Sequence, residues 1–373
     1  MNWKFTGVIL AVLSIFIFAC KDDSKPDEGD LTFISFDPVP YNPDIPAGWP
    51  QLEQPADNPM TQEGVQLGRR LFFDPILSLD STISCSTCHI PEKGFSDDNP
   101  LAVGIGGAIG DRRTMSLVNV GFVNSGLFWD GRAKTLEEQA LHPIEDPREM
   151  NLSLSEAVER LQNHGDYSTR FRKAFGINHI REINADLLGK ALAQFQRIII
   201  VGGESKFERA MRGELAFSDE ELEGRDMFFD ANLLSLDAEC AHCHNRPLFT
   251  TNEFLNNGIT EVERLLDHPD PGLGEVTGKE LDFGKFRVPT LINWELRDHF
   301  MHDGRFVSME DVLDHYNSGG HRPSDPDEDN VDLLIYPLNM NQIEFDNLMA
   351  FLRTLSDTTF LENPDLQDPF AGR

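Results

Sequence analysis

Two pentapeptides constrain this chain more than anything else in it: CSTCH at residues 85–89 and CAHCH at 240–244. They hold four of the chain's five cysteines, and a histidine follows each pair at once. Two Cys-x-x-Cys pairs could be the halves of a zinc site, but such halves usually lie close in sequence and need no histidine directly after the second thiol. Here the first cysteines are 240 − 85 = 155 residues apart. A redox dithiol calls for a compact βαβ setting, which the sequence does not offer. Cys-x-x-Cys-His is the attachment signature of c-type haem: the thiols add to the vinyl groups and the histidine is placed to ligate iron. The expected anchors of two covalently bound haem c groups are therefore Cys85, Cys88 and His89, then Cys240, Cys243 and His244, with His89 and His244 as iron ligands.

An internal repeat supplies the architecture. GRRLFFD (68–74) precedes the first motif and GRDMFFD (224–230) the second, with 85 − 68 = 17 and 240 − 224 = 16 residues from glycine to first cysteine. Each copy reads as a helix leading into a haem-binding turn. Ser218 with Glu221 forms a capping box before the second copy. Helical periodicity also marks SLSEAVERLQNHG, ADLLGKALAQFQRIIIVG and NQIEFDNLMAFLRTLSD. Strand signals are few and short, and Gly-, Pro- and Asp-rich loops separate the helices. The expected fold is mainly α: two duplicated cytochrome c-like haem domains, at 51–215 and 216–373, with long loops and few short strands.

The amino terminus points to export. One lysine precedes an apolar run from Phe5 to Phe18, too short to span a bilayer comfortably, so residues 1–19 read as a signal peptide. The ending IFAC resembles a bacterial lipobox, which implies lipidation of Cys20. In residues 20–50, Cys20 is followed by KDDSKPDEGD, a composition suited to a flexible tether. The expected location is the periplasmic side of the membrane or the cell surface, held by the lipid anchor alone. The formal charge of −31 argues against nucleic acid, whose phosphates need a basic face, and permits a basic redox partner.

CSTCHIPEKGFSD, FWDGRAKTLEEQALHPI, FRVPTLINWELRDHFMHDG and the second haem motif occur in an order that resembles the bacterial dihaem cytochrome c peroxidases and their relative MauG, from about residue 50 to 360. The resemblance implies reduction of hydrogen peroxide to water at the first haem, with electrons from a small redox protein, a cytochrome c or a cupredoxin, entering through the second. It also suggests a homodimer. Peroxide reduction needs an open position on iron and an acid–base group to move a proton between the two oxygens. By resemblance that group is Glu149, with Gln139 beside it; Glu145 is its nearest rival, and His142 could be a pocket base or mere surface. Trp129 matches the tryptophan between the two haems. Arg112 and Arg132 are the expected partners of the haem propionates, since guanidinium suits carboxylate geometry.

Three positions depart from the peroxidase pattern. The methionine ligand of the second haem is replaced by Tyr316, as in MauG, with His315, Met301 and Met309 as rivals; a phenolate would lower that haem's potential. The position of an asparagine that holds an interdomain calcium reads Arg113, which cannot ligate a cation, so the ion is expected to be replaced or displaced. A distal histidine 16 residues after the proximal one becomes Ile105, and no side chain from Leu101 to Gly110 can donate a lone pair to iron. The first haem is thus expected to be open at rest. Two further readings remain beside the peroxidase: a MauG-like oxidant of a partner protein, and a dihaem electron carrier without turnover.

Overall fold

The computed structural model describes Met1 and residues 28–230 and 238–371. The apolar leader, Cys20 and the start of the tether lie outside the described residues. No helix among the described residues is long and apolar enough to cross a membrane.

The first half contains helices α1 (Gln62–Phe73), α2 (Cys85–Cys88), α3 (Leu136–Gln139), α4 (His142–Glu145), α5 (Leu154–Gln162), α6 (Gly165–Phe175), α7 (Ala185–Arg197) and α8 (Lys206–Met211). The second contains α9 (Asp219–Phe229), α10 (Leu273–Thr277), α11 (Met309–Ser318) and α12 (Gln342–Arg353). One small sheet pairs β1 (Phe254–Leu255) antiparallel with β2 (Phe286–Arg287). The expected caps form: Ser218 Oγ accepts from the Glu221 amide while the Glu221 carboxylate accepts from the Ser218 amide. Helix α7 stops at Arg197, where the β-branched run Ile198–Val201 begins, a run that favours extended backbone.

The repeated GRxxFFD segments become α1 and α9, and the helix that each packs against completes the repeat. α1 crosses α7 and α9 crosses α12, both at the motif's glycine. A Cβ on Gly68 would lie 1.9 Å from the Ala191 carbonyl oxygen, and one on Gly224 2.0 Å from that of Asn347. No other residue lets the backbones meet so closely. The offsets agree: 224 − 68 = 156 and 347 − 191 = 156. The aromatic residues repeat as well. Phe72 packs on Phe195 at 5.0 Å and on Phe95 at 6.3 Å; Phe228 packs on Phe351 at 5.1 Å and on Phe249 at 5.9 Å.

The two halves share one continuous core. α8 belongs by packing to the second half, with Phe207 against Phe249 at 5.1 Å and Phe351 at 5.8 Å. The carboxy-terminal segment returns to the first: Phe360 meets Phe95 at 6.1 Å, and Arg69 Nε donates to the Gln367 carbonyl at 2.8 Å. The loops that carry the site are therefore held from both sides.

Candidate active site

Both Cys-x-x-Cys-His segments fold into the same local device. Ser84 and Thr87 form a capping box that starts α2, so Cys85 and Cys88 stand one turn apart with His89 at the helix end. The second copy is a 3₁₀ turn, Cys240–His242, followed by Cys243 and His244. No disulfide joins Cys85 to Cys88 or Cys240 to Cys243. Burial pushes the thiols of Cys85, Cys88 and Cys243 up to about 12, so they stay as S–H, the form that adds across a vinyl group. His89 Nδ1 lies 3.0 Å from the Phe95 carbonyl, and His244 Nδ1 lies 3.1 Å from that of Phe249. A proton on Nδ1 donates to that carbonyl and leaves the Nε2 lone pair for a metal. Burial lowers the His89 pKa and takes that of His244 down to about 4, so both rings are neutral and ligand-competent. Each carbonyl also accepts a backbone amide, from Leu117 or Leu291, and Phe95 and Phe249 both hold positive φ, 54° and 51°. Sequence reasoning did not find this carbonyl pair.

Cys85, Cys88 and His89 form one wall of a cavity of about 910 Å³, and Glu149, Gln139 and Trp129 line the same cavity. Its volume is at the upper end of the range for cofactor pockets. Burial, helped by Asp146, raises the Glu149 carboxyl to about 7, against the pull of Arg132 and Arg148; the Glu149 charge is felt at both Cys85 and Cys88. The Gln139 Oε1 atom is buried without a hydrogen-bond partner. Glu145 is exposed, and its carboxylate accepts from the Leu154 amide. His142 is also exposed, edge-on to Phe128 at 5.6 Å. Neither Glu145 nor His142 is on the cavity wall.

The glycine-rich loop is clamped to the Glu149 segment. Ile105 N donates to the Glu149 carbonyl at 2.8 Å, and a Cβ on Gly104 would meet the Arg148 carbonyl oxygen at 2.0 Å. The loop shows the cavity Ala102, Val103, Gly104 and Gly110, none with a donor atom in its side chain.

At the second motif, burial pushes the Tyr316 phenol up to about 12, against the hydrogen bond from Asn257, and the neighbouring Cys243 and Cys240 push the same way. Tyr316 thus lies near the second pair of thiols, and a phenol in such a place would stay protonated unless a bound cation stabilised its phenolate. Asn257 Nδ2 lies 3.2 Å from Tyr316 Oη and 3.5 Å from Met301 Sδ. His315 is turned aside, with Nε2 2.9 Å from the Asn257 carbonyl, and Met309 is buried in the core.

Trp129 stands on the wall of the first site. Its Nε1 donates to the Arg113 carbonyl at 2.9 Å, and it lines both the large cavity and a smaller one of about 60 Å³. Arg113 is buried and donates to the Asp97 carbonyl at 2.8 Å. Arg112 and Arg132 line the large cavity but are already paired. Arg112 binds Asp270 at 2.7 and 2.8 Å and Asp130 at 2.5 Å. Arg132 binds Asp130 at 2.9 Å and covers the Phe128 ring at 3.6 Å. Arg287 and Arg297, which the sequence did not single out, hydrogen-bond only to neutral acceptors among the described residues. Paired thiols, a neutral histidine, a long cavity and buried guanidinium groups together suit haem c.

The model of the di-haem cytochrome c peroxidase family matches residues 62–216. The methylamine utilization protein MauG of Methylorubrum extorquens is 38% identical over 307 residues, 82% of this chain and 81% of the relative. Cytochrome c551 peroxidase of Nitrosomonas europaea is 31% identical over 315 residues, 84% and 85% of the two chains. The crystal structure of a MauG-like protein associated with microbial copper homeostasis superposes with a TM-score of 0.77 at 32% identity, covering 88% of this chain and 99% of that one. The chain belongs to the di-haem cytochrome c peroxidase family, an oxidoreductase family that includes MauG.

Proposed function

We propose that the protein reduces hydrogen peroxide at the first haem site, with electrons from a small redox protein passing through the second. The observation that carries this reading is Glu149: a carboxyl raised to about 7, on the cavity that holds the Cys85 and Cys88 thiols. When bound there, haem supplies an iron with an open position and a store of electrons. Glu149 as carboxylate takes the proton from one peroxide oxygen and delivers it to the other, so that water is the leaving group. The unpartnered Gln139 Oε1 accepts a hydrogen bond from peroxide or from that water. The clamp between Ile105 and the Glu149 carbonyl fixes the carboxyl's position, and the donor-free loop leaves the approach open. Trp129 gives electrons a π system between the sites. A steady-state assay with peroxide and reduced cytochrome c or cupredoxin tests the proposal; absence of turnover with every small donor overturns it.

Tyr316 favours a second reading, in which the oxidising equivalents act on a partner protein as in a MauG-like enzyme. Its outcome in the same experiment is a long-lived oxidised state that decays only when the partner protein is added. In either reading Arg113 stands in for the interdomain calcium, its guanidinium donating to a carbonyl that a cation would otherwise join. A stoichiometric calcium after dialysis, with activity lost on chelation, would count against that. The lipobox-like segment supports anchoring through Cys20, and a mature terminus mapped downstream of Cys20 by mass spectrometry would rule it out.

A further inference from the structure

Three arginines beside the first site are withdrawn from solvent without an ion pair among the described residues: Arg287 and Arg297 have no carboxylate acting on them, and Arg113 only feels those of Asp97, Asp98 and Asp298 without hydrogen-bonding to one. Arg113 and Arg287 are 5% and 6% exposed, and Arg297 opens only partly, onto the smaller cavity. The Arg112, Arg132 and Arg197 guanidinium groups meet carboxylates, whereas these three find neutral acceptors. Arg287 donates to the Asn252 side chain at 3.1 Å and the Phe128 carbonyl at 3.3 Å. Arg297 donates to the Thr290 and Ile292 carbonyls, both at 3.0 Å. Arg113 donates to the Asp97 carbonyl at 2.8 Å and leaves Nε buried without a partner. In a chain with 63 acidic and 32 basic residues, carboxylates to pair with them are plentiful, yet none acts on Arg287 or Arg297, and Arg113 makes no hydrogen bond to the carboxylates near it. Burying a cation this way is costly unless an anion joins it, and three cations together compound the cost.

We propose that Arg113, Arg287 and Arg297 form one anion-binding cluster for the carboxylates of the bound haems, and that this single cluster serves both cofactors. The inference rests on the reading that both motifs carry haem c, a macrocycle that brings propionate groups of its own. The placement fits. Arg113 and Arg287 line both the large cavity at the first motif and the small cavity, and Arg297 lines the small one. The small cavity also includes Pro289, whose backbone hydrogen-bonds His244, and the Arg297 charge is felt at that ring. Burial lowers the pKa of all three guanidinium groups, Arg297 to about 9 with Arg113 adding to the effect. Fixed guanidinium donors suit bidentate carboxylate binding. Arg112 and Arg132, already satisfied by Asp130 and Asp270, are left to shape the cavity wall.

The test uses the full-length, haem-loaded protein and the midpoint potential of each haem by spectroelectrochemical titration. A buried cation disfavours the more positive ferric form, so its removal lowers the potential. Arg297→Gln should lower the second haem's potential, and Arg113→Gln that of both. The expected shift is about tenfold in the ferrous-to-ferric ratio, equal to about 59 mV for one electron. Arg→Lys at the same positions should restore most of it, which a merely structural role would not predict. Fully loaded Gln variants with unchanged potentials overturn the proposal. If the variants fail to load, a crystal structure of the loaded wild-type protein decides. Guanidinium nitrogens within hydrogen-bond distance of propionate oxygens support the cluster; nitrogens bound to water or to an inorganic anion overturn it. Haem content by the pyridine haemochrome assay separates these outcomes from failure of the two-haem reading itself.

Discussion

Replacing Glu149 by glutamine removes the one raised carboxyl on the cavity wall while keeping its shape. A positioned acid–base group contributes about a hundred- to ten-thousandfold to such a proton transfer, and the variant should lose a factor in that range in its second-order rate with peroxide. The pH profile is the sharper readout. The reacting form is the carboxylate, and the group is raised to about 7. The wild-type rate should therefore fall about tenfold per unit below pH 7 and level off above it, and the variant should lack that limb. The neighbours set the position of the limb. Asp146 raises the group and Arg132 and Arg148 lower it, so Asp146→Asn should move the limb to lower pH, and Arg132→Gln or Arg148→Gln should move it to higher pH. Stopped-flow spectroscopy of the haem-loaded protein across pH 5 to 9 measures all four variants. A Glu149→Gln variant with an undiminished rate, or one that keeps the limb near pH 7, would refute the assignment.

Tyr316→Phe should change the low-spin spectrum of the second haem and raise its potential, since an anionic ligand is lost, whereas His315→Gln should leave the coordination unaltered; the reverse pattern would transfer the ligand role to His315. The resting ferric protein should show a high-spin and a low-spin signal in electron paramagnetic resonance and react with peroxide without prior reduction, and two low-spin haems at rest would mean that another residue closes the first site. Gly68→Ala and Gly224→Ala should each destabilise the protein by at least about 1–3 kcal/mol, the usual cost of overpacking, since each Cβ would enter a carbonyl's space; calorimetry showing either variant at wild-type stability would remove the glycine from its crossing.

Much of this could be read from the sequence because the chemistry is tied to residue type. Only cysteine, histidine and a particular spacing attach haem c, and only Ser218 with Glu221 could close that cap. The second half of the repeat was harder to see. The helix partners align as Ala191 with Asn347 and Phe195 with Phe351, a match of position more than of letter, since what Gly68 and Gly224 meet is a backbone carbonyl that every residue has. Arg287 and Arg297 were missed for a different reason. In FRVPT and NWELRD they look like any solvated cation, and burial without a carboxylate is a property of the folded environment. Glu145 and His142, plausible on sequence, drop out because α4 turns both side chains away from the cavity.

The two carbonyls that hold the proximal histidines are invisible to any scan that changes side chains one at a time. Alanine at residue 95 or 249 would delete a ring from the aromatic cluster and leave the acceptor oxygen in place. What such a scan would report is packing loss, while the control of the histidine's basicity resides in a backbone bend at positive φ. The letter at these positions is consequently held by packing, while the histidine is held by conformation. Tuning the ligand experimentally requires an edit to the main chain, such as replacing the amide that follows Phe95 or Phe249 by an ester, which weakens its carbonyl as an acceptor without disturbing the ring.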